Sequence, residues 1–255
     1  MRVSSAVAPL HAEPKASSEQ VSQSVAGHLA TILEMREGWR RVRLGDGYEG
    51  WMHEGYLEAR GMSANEVSAW RSSSRYSLGC TVLDAATGVE RALPLGARVA
   101  HEAKIVTGEA VDADEMRGRY PSVGSEICAS AARWFANSSY QWGGITPWGA
   151  DCSGMVQAVF GLHGVALPRD ARQQAELGTE LALSPDTWRP GDLLFFSDRA
   201  DGRITHIAIV AHERTLMHVA IGRGGFVVES PYDSSDPYVE ALKVRLRQAR
   251  RILTV

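Results

Sequence analysis

Short apolar runs broken by turn residues dominate the first part of the chain. Gly38-Trp39-Arg40-Arg41-Val42-Arg43-Leu44 alternates with a period of two, Gly45-Asp46-Gly47 supplies a tight turn, and Tyr48-Glu49-Gly50-Trp51 resumes the pattern. Period two with Gly-rich turns predicts strands, and so a small all-β unit over residues 1–60. A short polar segment and the patch Ser72-Ser73-Ser74 follow. β-like alternation then returns from Tyr76, through Thr81-Val82-Leu83 and Arg98-Val99-Ala100, and stops near Gly118 after the acidic run Asp112-Ala113-Asp114-Glu115. This second region, 61–118, reads either as another small β unit or as an elaboration of the first. No strong internal repeat links the two, though diverged copies of one barrel fit the pattern.

From Ser125 the period changes. Ile127, Ala131, Trp134 and Phe135 fall on one face of a helix, and a Gly143-Gly144 turn closes that region. Asp151-Cys152-Ser153-Gly154 has the form of a second helix start, with Met155, Val156, Val159 and Phe160 as its apolar positions. Strands are expected at Leu193–Phe196, Ile204–Val210, Leu216–Ile221 and Phe226–Val228, and a half-exposed one at Leu242–Arg247. Helices followed by successive antiparallel strands make residues 119–255 an α+β domain.

Composition narrows the function classes. The chain has 255 residues, 44% hydrophobic and 22% charged, which suits folded domains with substantial cores. A net charge of −3 offers no broad positive field for nucleic acid or an anionic membrane. No segment has the length of a membrane span, and Pro9, His11 and Glu13 interrupt the apolar stretch a signal peptide needs, so a cytoplasmic protein is expected. Three cysteines make no disulfide framework. The question becomes which thiol is chemical.

A cysteine attacks an amide as thiolate, and an ordinary thiol, with a pKa of about 8.5, is mostly protonated at neutral pH. Cys152 at a helix N-terminus is expected to gain from the helix dipole and from a neighbouring imidazole, both of which favour the anion. His206 and His218 lie in apolar β-runs where packing does not require them. Twelve positions apart, they face each other in a hairpin that pairs Ala208 with Leu216 and turns around Ala211-His212-Glu213. His206 is then placed to act as base and His218 to orient it. The same three residues also form a plausible zinc set, and a buried structural thiol is the bland alternative for Cys152. Cys80 and Cys128 lack such company. Asp151 has an N-cap reading, Asp170 a capping reading through Gln173 and Gln174, and Tyr48 a barrel-core reading. Trp142, Trp148 and Trp188 are expected to pack, and the basic C-terminal segment to be a solvated face.

The ordered motifs Tyr140-Gln-Trp142-Gly-Gly144, Asp151-Cys-Ser-Gly154, Leu167-Pro-Arg-Asp170, Pro190-Gly-Asp-Leu-Leu-Phe-Phe196 and the two histidine strands resemble the NlpC-type cell-wall cysteine peptidases. Gly47-Tyr48-Glu-Gly50-Trp51 resembles bacterial SH3-like domains. The resemblance implies a papain-like α+β cysteine peptidase domain preceded by one or two SH3-like barrels. It implies a triad of Cys152, His206 and His218, an oxyanion site formed by Tyr140 and the Cys152 N–H, and no cofactor or metal. The combination is similar to γ-D-glutamyl-L-diamino acid endopeptidases of the dipeptidyl-peptidase VI type, which act in murein peptide recycling. That likeness implies a small murein peptide, L-Ala-γ-D-Glu-diamino acid, as partner, with no nucleic acid and no membrane, and a monomer. Its free L-Ala amine would meet Asp151, Ser153, Asp170 and Tyr48. Ala171 departs from the pattern, since relatives often carry serine there. A non-catalytic wall-binding protein and a thiol transacylase or amidase on the same fold are the competing readings.

Overall fold

The structure is a computed structural model describing residues 1–84 and 87–253. The chain divides into two compact units, Met1–Arg119 and Tyr120–Val255. In the first, β1 (Val7–His11), β2 (Gln20–Val25), β3 (Thr31–Arg36), β4 (Trp39–Arg43) and β5 (Glu49–His53) form an antiparallel sheet in the order β2-β1-β5-β4-β3. The alternating run at Trp39 is β4, and the Gly45-Asp46-Gly47 turn joins it to β5. Ala8, Leu10, Val42 and Met52 fill its core, with Tyr48 packed against them.

The polar segment after residue 60 is not a linker. Ser63 and Glu66 form a reciprocal capping box that starts α1 (Ala64–Ser73). Local capping, which carries no apolar periodicity, explains why the hydrophobic pattern missed this helix. Two three-stranded sheets follow, built from β6 (Arg75–Ser77), β7 (Cys80–Leu83), β8 (Glu90–Leu93), β9 (Arg98–Val99), β10 (Ile105–Thr107) and β11 (Ala110–Val111). The acidic run opens α2 (Ala113–Arg119), where Asp114 and Glu115 complement the helix N-terminus. Val25 and Ala26 share a core with Cys80, Val82, Leu93, Ala97 and Val99, so residues 61–119 are packed into the first unit. Gly27 adopts φ 78°, and a Cβ there would lie 2.2 Å from the Arg98 carbonyl oxygen.

The second unit begins with α3 (Gly124–Phe135), the hairpin β12 (Ile145–Thr146) and β13 (Gly149–Ala150), α4 (Cys152–Leu162) and α5 (Ala171–Gln174). Next come β14 (Thr179–Glu180), β15 (Leu193–Phe196), β16 (His206–Val210), β17 (Leu216–Ala220), β18 (Gly225–Glu229), α6 (Pro237–Arg245) and β19 (Leu246–Arg251). Their sheet has the order β14-β19-β15-β16-β17-β18. Helix α4 packs against β16 and β17, and Met155, Val156, Val159 and Phe160 are fully buried. On one sheet face Leu194, Phe196, Ala208, Val210 and Leu216 pack with Leu242 of α6. The alternation leaves Leu193, Phe195, Ile207 and Ile209, all fully buried, for the other face.

Three expectations change. Leu242–Arg245 is the end of α6 rather than a strand, because Asp236 accepts from Tyr238 N–H at 2.8 Å and Pro237 occupies the first turn, starting a helix upstream. Arg251 on β19 is not merely solvated, since it pairs with the buried Asp192 at 2.7 and 2.8 Å. The histidine hairpin is also shifted by two residues. Val210 pairs with Leu216 and Ile209 with Met217, and the connection widens because Glu213 and Arg214 adopt φ 54° and 59°. That puts the apolar Leu216 into the sheet and leaves Arg214 outside. A two-residue shift keeps every side chain on its original face.

Candidate active site

Cys152 stands at the first position of α4 because Asp151 caps that helix, its Oδ1 accepting from Gly154 N–H at 2.8 Å. Gly154 permits the close approach of the preceding loop, since a Cβ there would meet the Gly144 carbonyl oxygen at 2.0 Å. The Asp151 carboxylate has further partners. Its Oδ2 accepts from Gly143 N–H at 2.9 Å, and Arg169 binds both oxygens at 3.0 and 2.6 Å. Arg169 also donates to Ser153 Oγ at 2.9 Å and is 2% exposed. Asp151 and Ser153, expected to meet a substrate amine, are thus brought beside Cys152 but tied into a buried cluster with Arg169.

The Cys152 sulfur lies beside the backbone N–H of Ile207, the residue after His206. The helix N-terminus therefore meets the start of β16. His206 Nε2 lies 2.7 Å from His218 Nδ1, so the two rings meet although they are not directly opposite in the sheet. Diagonal neighbours on one face remain within reach of side chains this long. With Nε2 engaged, Nδ1 of His206 is the nitrogen left for chemistry. Phe196 packs against the His206 ring, and Tyr238 is stacked on His218 with centroids 6.3 Å apart.

The electrostatics differ from the sequence expectation. Burial, helped by the Asp151 charge, pushes the Cys152 thiol up to about 12, outweighing the Ile207 and Ser153 N–H groups and Arg169. Burial likewise lowers His206 to about 3, with His218 and Arg245 adding to the effect. The resting pair is a neutral thiol and a neutral imidazole, because a low-dielectric setting penalises both charged forms. Tyr140 is raised too, first by burial and then by the charges of Cys152 and Asp151.

The remaining candidates have settings of their own. Asp170 is the N-cap of α5, its N–H bonded to Gln173 Oε1 at 3.4 Å, and it is only partly buried. Tyr48 belongs to the first unit and packs on that core. Trp188 is buried, whereas Trp142 and Trp148 are 59% and 53% exposed, contrary to the packing expected of them. Both lie in the loop and hairpin leading to Cys152, where the close Gly144–Gly154 contact leaves little interior to fill. Cys128 is structural, its thiol donating to the Val210 carbonyl oxygen at 3.3 Å. Among the described residues no group of three or more His, Cys, Asp or Glu side chains is arranged to hold a metal ion. Nor is any helix long and apolar enough to cross a membrane.

Sequence reasoning missed two charged residues here. Arg169 sits inside a quoted motif without a role, and Glu229 ends an apolar strand. Glu229 Oε2 lies 3.3 Å from His218 Nε2, and its Oε1 accepts from Arg223 Nε at 2.6 Å. A carboxylate ending an apolar strand normally reads as solvent-facing, so no local signal marks it.

Residues 137–244 match the NlpC/P60 family and residues 6–58 the bacterial SH3 domain. A γ-D-glutamyl-L-lysine dipeptidyl-peptidase from Bacillus subtilis is 32% identical over 111 residues, 43% of this chain and 35% of that protein. A murein DD-endopeptidase/LD-carboxypeptidase from Escherichia coli K12 is 34% identical over 137 residues, 53% of this chain and 66% of that protein. The chain spans about a third of the length of the Bacillus relatives it matches. The crystal structure of an NlpC/P60 family protein from Bacillus cereus superposes with a TM-score of 0.79 at 15% identity, covering 99% of each chain. That likeness is one of fold, and the fold is the papain-like α+β domain behind an all-β SH3-like region that the sequence implied. This chain therefore carries an NlpC/P60 domain preceded by a bacterial SH3 domain.

Proposed function

We propose that the protein is a cysteine peptidase hydrolysing the γ-D-glutamyl–diamino acid bond of murein peptides with a free N-terminal L-Ala, in cell-wall peptide recycling. The observation that carries this reading is Cys152 at the head of α4, against the Ile207 N–H, with His206 held through Nε2 by His218. The names of relatives support the bond class, since the Bacillus proteins are a γ-D-glutamyl-L-lysine dipeptidyl-peptidase and a γ-DL-glutamyl hydrolase.

In this mechanism the Cys152 proton passes to His206 Nδ1 as sulfur bonds to the amide carbon. The carbonyl electrons move onto oxygen, which the Cys152 N–H and the Tyr140 hydroxyl stabilise. Collapse breaks the C–N bond, and the His206 imidazolium protonates the leaving amine. Water then attacks the thioester with His206 as base, releasing acid and thiol. Because thiol and imidazole both rest neutral, proton transfer must accompany attack. Asp170, a partly buried carboxylate adjoining Arg169, is proposed for the substrate amine.

Incubation with L-Ala-γ-D-Glu-L-Lys, L-Ala-γ-D-Glu-meso-diaminopimelate and their N-acetylated forms tests the reading. Release of L-Ala-D-Glu from the free-amine peptides alone is expected, and Cys152→Ala should abolish it while peptide still binds. Equal cleavage of acetylated peptides refutes amine selection, and turnover by Cys152→Ala refutes the assigned nucleophile.

A further inference from the structure

Three residues step diagonally across adjacent strands of one sheet face: His206 on β16, His218 on β17 and Glu229 on β18. The β17–β18 register pairs His218 with Val227 and Leu216 with Glu229, so Glu229 is the diagonal neighbour of His218 on its own face. The contacts follow the same line, His206 Nε2 to His218 Nδ1 at 2.7 Å and His218 Nε2 to Glu229 Oε2 at 3.3 Å. His218 is fully buried, the Glu229 side chain is 4% exposed, and among the described residues neither His218 Nε2 nor Glu229 Oε2 forms a hydrogen bond of good geometry, so each is the nearest polar partner on offer to the other at 3.3 Å. Behind them Arg223 donates to Glu229 Oε1, pairs with Asp236 and lies over the Tyr238 ring at 4.4 Å.

We infer that Glu229 is a positioning residue which fixes the proton arrangement of both histidines. The inference rests on the peptidase reading above. A carboxylate only accepts, so the proton of His218 must sit on Nε2, facing Glu229. His218 Nδ1 is then an acceptor and requires the His206 proton on Nε2. His206 Nδ1 is thereby left as a lone pair, the form a base toward the Cys152 thiol must have. When His206 takes the thiol proton, the buried Glu229 carboxylate two contacts away favours the new positive charge. Arg245, which also faces His206, has the opposite sign. Arg223 holds the carboxylate in place and keeps its own charge offset by Asp236.

Glu229→Gln separates this role from a structural one. Arg223 claims the amide oxygen, because it too needs an acceptor, so the amide NH2 is turned toward His218 Nε2. That reverses the chain, putting the His218 proton on Nδ1 and the His206 proton on Nδ1, where the thiol proton must go. The expected result is a fall in kcat of about a hundredfold or more on the free-amine tripeptide with KM little changed, the pattern of a wrong histidine tautomer. Adding Arg223→Met frees the amide to rotate and should recover part of that loss, whereas two merely structural lesions would compound. Glu229→Asp, still an acceptor, should be intermediate.

Nitrogen-15 NMR of histidine-labelled protein gives an independent readout. In the unsubstituted protein both rings should carry the proton on Nε2, and Glu229→Gln should move it to Nδ1. A His218 proton on Nδ1 in the unsubstituted protein overturns the inference, which keeps it testable even if Glu229→Gln fails to fold. Wild-type kcat in a folded Glu229→Gln also overturns it. If Cys152→Ala retains turnover while the NMR shift occurs, the assignment of Cys152 as nucleophile fails and the proton arrangement stands.

Discussion

Replacing Arg169 with methionine would leave the Asp151 carboxylate buried without its countercharge. Arg169 and Asp151 are 2% and 7% exposed, and two hydrogen bonds of 3.0 and 2.6 Å join them. Removing one partner of a buried pair costs about 3–5 kcal/mol, chiefly through the stranded charge. Gly143 and Gly154 N–H groups still bind Asp151, each charge-assisted contact contributing about 1.5–3 kcal/mol, so the lower end, about 3 kcal/mol, applies. Asp151→Asn keeps a good N-cap but strands the guanidinium, at comparable cost. The double variant Asp151→Asn/Arg169→Met leaves neither charge of this pair buried and should recover at least about 2 kcal/mol relative to the sum of the single losses. Native-state hydrogen exchange of the α4 amides in the full chain reads this free energy without the first unit contributing. If the helix cap and the Arg169 pair are the whole role of Asp151, the double variant should also regain turnover with KM for the free-amine peptide near the wild-type value. Additive losses, or a KM that stays raised once stability returns, would refute the reasoning.

Other expectations follow from burial and close contacts. His206, lowered from 6.5 to about 3, is neutral when folded but charges when unfolded, so stability should be lost as pH falls below about 6.5 toward 3. The Cys152 thiol, raised from 9.0 to about 12, gives the mirror image, with stability lost as pH rises above about 9. Urea unfolding across pH should show both limbs, with His206→Gln flattening the acid one and Cys152→Ala the alkaline one. Gly154→Ala, despite a helix-propensity gain of about 1 kcal/mol, should destabilise α4 and remove turnover, since its Cβ would lie 2.0 Å from the Gly144 oxygen. Phe160→Ala should cost about 3–5 kcal/mol in chemical denaturation, because that ring is fully buried. Dialysis against a chelator should leave peptide hydrolysis unchanged, and a loss would favour a metal-dependent reaction.

Much of this protein is local. Periodicity alone gave β4, α3, α4 and β15 to β18, because each buries one face and must repeat its apolar residues to do so. The helix start at Asp151-Cys152 was legible for the same reason, as a capping carboxylate precedes an apolar run. What local pattern could not convey was partnership between segments distant in sequence. The hairpin register depended on Glu213 and Arg214 entering the left-handed region, so the two histidines meet diagonally rather than face to face. Arg169 found Asp151 across eighteen positions, which ties an expected amine ligand into a buried ion pair. Most plainly, the helix-end thiol expected to ionise readily is held neutral by burial, a property that only tertiary packing sets. Glu229 likewise acquires meaning only when three strands align: the sequence determined which residue types were available, and the sheet decided which of them share a proton chain.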